Sequence, residues 1–109
     1  INHGHAVSLT LNQFLRFNYN HLKEAKCNFS LNGRFENLFR LSNTKDFVSF
    51  DKFLKNIKRE ANLEGDFKKL KIDIEKDFSN FVSGINALRL ANNPVDIQIK
   101  DLKKIILNL

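Results

Sequence analysis

The chain has 109 residues, which bounds it to one domain with room for a modest core of its own. Hydrophobic residues make up 42%, with 11 Phe and no Trp, so the core is expected to be built on phenylalanine, and no stretch approaches the roughly 18 uninterrupted apolar residues of a membrane span. The net charge of +6 invites nucleic acid, yet Lys and Arg are scattered from Arg16 to Lys104 among Asp66, Asp73, Glu75 and Asp77, where a phosphate-binding face needs a concentrated stripe; a solvated surface is expected, and nucleic acid is not expected as a partner.

Residues 5–25 read as one long helix. Val7, Leu11, Phe14 and Leu15 mark one face by their spacing, while Ala6, Leu9, Phe17, Tyr19 and Leu22 occupy the rest of the circumference. A helix apolar nearly all round is expected to be buried on several sides, or to expose apolar surface that drives self-association. Asn18, Asn20 and His21 point to an exposed last turn. Residues 27–32 are expected to be a connection, with Asn32 capping a helix from Gly33 that carries Phe35, Leu38, Phe39 and Leu41 on its apolar side.

Ser42-Asn43-Thr44 ends that helix. Ser49 is expected to cap the next, over residues 50–62, with Phe50, Phe53, Leu54, Ile57 and Ala61 at helical spacing. Residues 63–72, which include Gly65, look irregular. A further helix is expected over 73–86, with Ile74, Phe78, Phe81, Val82 and Ile85 inward. Asn92-Asn93-Pro94 forms a turn, because proline disfavours helix in the residue before it, and a last helix runs from Ile99 to Leu107. Ile97-Gln98-Ile99 alternates too briefly to require a sheet. The expected fold is an all-α bundle of about five helices in a single domain over residues 1–109.

The chemistry-bearing residues are few. The single Cys27 cannot form an internal disulfide and fits a reducing compartment, so a cytoplasmic location is expected. His3 and His5 flank Gly4 at the start of the first helix. An imidazole fixed at a helix start can be aimed reproducibly at zinc or iron, and glycine permits close backbone approach. From spacing alone, however, His3 reads as a solvent-facing terminal histidine. Residues two apart on a helix point about 200° apart, so His3 and His5 should not chelate one metal together. His21 is expected at the surface.

The stretch His3-Gly4-His5-Ala6-Val7 resembles the metal-binding helix start of the iron-containing alcohol dehydrogenase and dehydroquinate synthase superfamily. The closing stretch, from Leu88-Arg89-Leu90-Ala91-Asn92-Asn93-Pro94 to Lys103-Lys104-Ile105-Ile106, is similar to the ending of the iron-containing alcohol dehydrogenases. Residues 25–85 match only in helix order. That motif normally lies well inside a two-domain enzyme, so the resemblance implies that this chain is the C-terminal part of the helical domain of a larger protein. The opening at Ile1 and the absence of Met fit that expectation, the alternative being a processed small protein.

By the same resemblance, His3 is one ligand of a divalent metal, iron or zinc, and His5 lines the substrate pocket or is polar filling. The parent enzyme would transfer hydride between NAD(P) and an alcohol, aldehyde or ketone, with the metal as Lewis acid. A dehydroquinate synthase-like cyclase is the alternative within the superfamily. From a different class comes a small basic helical module that binds nucleic acid or protein. The sequence has no Gly-x-Gly-x-x-Gly and no paired metal-binding cysteines. A zinc or iron site needs three or four ligands, so this chain alone is expected to hold neither metal nor NAD(P) and to be inactive without the missing N-terminal part of the same protein.

Overall fold

The computed structural model describes residues 3–73, 75, 76, 78, 79 and 90–107. Among the described residues are four α-helices: α1 (His3–Asn20), α2 (Leu31–Leu41), α3 (Phe47–Glu60) and α4 (Ile99–Leu107). A 3-10 turn at Leu22–Glu24 follows α1. The described residues form no strand, only an isolated antiparallel bridge between Ala25 and Val95. The fold of these residues is all-α. Positions 75, 76, 78 and 79 are helical, but Ile74, Phe81, Val82 and Ile85 of the expected fifth helix lie outside the described residues.

Side-chain caps, rather than apolar spacing, decide where the middle helices begin. α2 starts two residues earlier than expected because Ser30, not Asn32, supplies the cap, its hydroxyl accepting from Gly33 N at 3.0 Å. α3 likewise starts at Phe47. Asp46 accepts from Ser49 N at 2.9 Å, and Ser49 Oγ accepts from Asp46 N at 3.2 Å. Ser49 is therefore the third helical residue of a capping box and not the cap itself.

Both helices end alike. Asn43 and Asn62 adopt left-handed backbone with φ of 56° and 57°. The next amides reach back to Phe39 O at 2.8 Å and Lys58 O at 2.9 Å, which satisfies carbonyls left over by the helix end. Asparagine tolerates this conformation better than most residues, which explains its use at both stops.

The core is built on phenylalanine, as the composition implies. Leu31, Phe35 and Phe39 repeat every four residues on α2 and meet Phe47 and Phe50 of α3, with Val95 closing the cluster. Tyr19 of α1 sits among these rings, stacked on Phe47 at 5.1 Å and edge-on to Phe35 at 5.1 Å. α1 also packs against α4, whose Leu102, Ile105 and Ile106 are buried.

Several expected inward positions face out instead. Leu38, Leu41, Phe53 and Ile57 are exposed, Leu41 at 74%. Once Phe35, Phe39 and Phe50 define the inward arc, these side chains fall on its flank or beyond it. α1 also ends earlier than residue 25 and is less enclosed than its composition suggests. Val7 and Leu11 are exposed, Leu9 is buried, and two polar residues, Asn12 and Asn18, take buried positions.

Asn18 is not part of an exposed last turn because Asn93 comes to meet it. The two amides exchange hydrogen bonds at 3.1 and 2.7 Å, and Asn93 Nδ2 also donates to Val95 O at 2.7 Å. Lys26 N donates to Pro94 O at 2.8 Å and its ammonium meets Asp96 at 2.6 Å. These contacts dock the segment before α4 onto the end of α1.

Candidate functional site

Helices α1 and α3 cross the molecule antiparallel, and their seam is polar. Asn12 Nδ2 donates to Asp51 Oδ1 at 2.7 Å, while Lys58 Nζ donates to Asn12 Oδ1 and to Ser8 O, both at 2.6 Å. Arg16 reaches the other Asp51 oxygen at 3.2 Å and Lys55 reaches it at 2.9 Å. No buried side-chain N or O among the described residues lacks a partner.

The electrostatics follow from this packing. Burial pushes the Asp51 carboxyl up, but hydrogen bonds from Lys55 and Asn12 and the charges of Lys55 and Arg16 outweigh it and hold the group below the usual carboxylate value. Burial lowers the Lys58 ammonium, an effect that Asp51 opposes and Lys55 reinforces.

Beside this seam opens a cleft of about 520 Å³. Arg16 of α1 and Lys55, Lys58 and Arg59 of α3 line it, together with Leu9, Leu63 and the amides of Asn12 and Asn62. The left-handed turn at Asn62 folds residues 63–65 across one end. There the His5 ring nitrogen Nε2 makes a 2.7 Å hydrogen bond with Glu64 O, tying the turn to α1. The charges that look scattered in sequence are thus gathered: four cations face one cavity against two carboxylates, Asp51 behind it and Glu64 at its rim.

The residues singled out from sequence are placed differently. His3 is helical, the first described residue of α1, and its side chain lies outside the described part of the structure. His5 is half-buried and bonded to the Glu64 carbonyl, and the α1 wall of the cleft begins beyond it, at Ser8. His21 lies at the surface, its side chain 39% exposed, and its ring is held there: Nδ1 bonds with Phe17 O at 2.7 Å and the ring stacks on Phe17 at 4.2 Å. Among the described residues no three His, Cys, Asp or Glu side chains group closely enough to hold a metal ion. No helix among them is long and apolar enough to cross a membrane.

Part of the cleft was readable in the sequence. Lys55, Lys58 and Arg59 stand at i, i+3 and i+4, which puts them on one face of any helix that spans them. Nothing local indicates that Arg16 and Asn12 would come to that face. Comparison with protein-family models, with curated proteins and with solved structures returned no match.

Proposed function

We propose that this chain is a helical binding module whose α1–α3 cleft accepts an anionic group. The observation that carries this is the convergence of Arg16, Lys55, Lys58 and Arg59 on one cavity. Cations clustered around a cleft attract an anion more strongly than the same charges spread over a surface. Asp51 acts here as a scaffold that fixes Arg16 and Lys55 and lowers the cost of holding like charges together. The test is a titration of the ¹⁵N-labelled protein with inorganic pyrophosphate at low ionic strength. Saturable shifts at Asn12, Arg16 and Asn62, weakened in Arg59→Gln, are expected. Shifts that never saturate, or that spread equally over the Lys68–Lys71 run, would contradict it.

A second function rests on the resemblance of the stretch His3-Gly4-His5-Ala6-Val7 to a metal-binding helix start. In it the chain is the C-terminal helical part of an NAD(P)- and metal-dependent alcohol dehydrogenase, or of a related cyclase, and supplies one metal ligand. The residues described here do not by themselves make up a metal site, so the other ligands and the nucleotide site must come from elsewhere. In such a parent enzyme His3→Ala should lower metal content and turnover by orders of magnitude, and His5→Ala much less. Full metal occupancy in the His3 variant would end this reading.

A further inference from the structure

The cleft's shape and walls narrow the class of anion. We propose that its ligand is a small organic phosphate, a compact apolar body carrying a phosphate monoester, and not a nucleic acid strand; this rests on the anion-binding function proposed above. Charge is the first argument. Four lining cations set against Asp51, with Glu64 at the rim 4.0 Å from Lys69, leave a clear positive excess, which suits a phosphate dianion better than a single carboxylate. Guanidinium groups from Arg16 and Arg59 suit an oxyanion with several acceptor oxygens, each of which can take a separate donor.

The walls are the second argument. Leu9 is buried and Leu63 half-buried, and both line the cavity beside the cations, so a ligand held by its phosphate would lay its remaining atoms against apolar surface. A volume of about 520 Å³ lies within the range of small-molecule sites.

The boundary is the third. The turn at Asn62 closes one end, and it is pinned by the His5–Glu64 hydrogen bond. Glu64 stands at that rim with Oε1 accepting from Asp66 N, so the cleft is bounded at this end. A strand of phosphates could not run on through the closed end, whereas a ligand contained within the cavity has no need to.

Calorimetry of the whole chain with inorganic phosphate, phenyl phosphate and a single-stranded oligothymidine tests this. Phenyl phosphate should bind about tenfold more tightly than inorganic phosphate, the gain expected from burying one small apolar group. Leu63→Ser should weaken phenyl phosphate more than inorganic phosphate and so abolish that preference, with an unchanged helical circular-dichroism spectrum to show that the variant is folded. If Leu63→Ser does not fold, the ratio in the unsubstituted protein still decides. Equal affinity for the two phosphates would overturn the inference and leave the anion site standing. Oligothymidine binding tighter than phenyl phosphate, with a steep loss on adding salt, would overturn it in favour of a polymer. No binding of any of the three would overturn the anion site as well.

Discussion

Asn12 and Asp51, 39 positions apart, meet inside the α1–α3 seam, where the amide of one donates to the carboxylate of the other at 2.7 Å. The pair is central because each member has further partners: Lys58 donates to the Asn12 carbonyl, and Arg16 and Lys55 flank the carboxylate. Removing either residue therefore disturbs both the helix packing and the cations that line the cleft.

Asp51→Ala should destabilise the fold by about 1–3 kcal/mol at neutral pH, the cost of leaving buried donors such as Asn12 without an acceptor. It should fall short of the roughly 3–5 kcal/mol for breaking a fully buried pair, because the Lys55 side chain is 62% exposed and can turn to water. The sign of the pH dependence is fixed by the lowered carboxyl. Its contribution is fully present above the unfolded carboxylate value of about 4 and is lost as pH falls through the lower folded value. Urea denaturation at a series of pH values should show the gap between wild type and variant closing only in acid. A gap that stays constant down to pH about 2 would remove Asp51 from this role.

Phe39 and Leu41 make a sharper contrast. The two lie on one short helix and share apolar character, yet Phe39 is 3% exposed and Leu41 74%. Phe39→Ala should cost about 3–5 kcal/mol, and Leu41→Ala should stay within about 0.5 kcal/mol. Comparable losses on denaturant unfolding would mean that the inward face of α2 is misassigned.

That contrast also marks what the sequence could and could not reveal. The all-α character, the phenylalanine core and the start of α4 at Ile99 follow from apolar spacing and the Asn-Pro turn, signals that are local. The starts of α2 and α3 were displaced because Ser30 and Asp46 compete with Asn32 and Ser49 for the same capping role, and only the backbone settles which amide each side chain reaches. The burial of Asn12 and Asn18 was invisible because their partners, Asp51 and Asn93, come from far along the chain. For the same reason the basic residues read as a dispersed surface: Lys55, Lys58 and Arg59 share a helix face by spacing, but the cleft exists only once α1 lies beside them.

The reciprocal amide pair of Asn18 and Asn93 gives a test of how the segment before α4 is held. Asn93→Ala should cost about 1–3 kcal/mol, since it leaves the buried Asn18 amide without its partner, and Asn18→Ala should cost less, since Asn93 Nδ2 keeps its bond to Val95 O. The double variant should cost clearly less than the two single losses together, because one interaction is counted in both. Strict additivity in the cycle would show that the two side chains act independently.

The most direct check of the central claim, an anion site between α1 and α3, is residue-resolved mapping of pyrophosphate binding in the unsubstituted chain and in Lys55→Gln and Arg59→Gln. The expected result is a single saturable site with shifts centred on Asn12, Arg16 and Asn62–Gly65, weakened several-fold in both variants while their thermal unfolding stays close to wild type. Saturable binding that is unaffected by either substitution, or no saturable binding at low salt, would contradict the account.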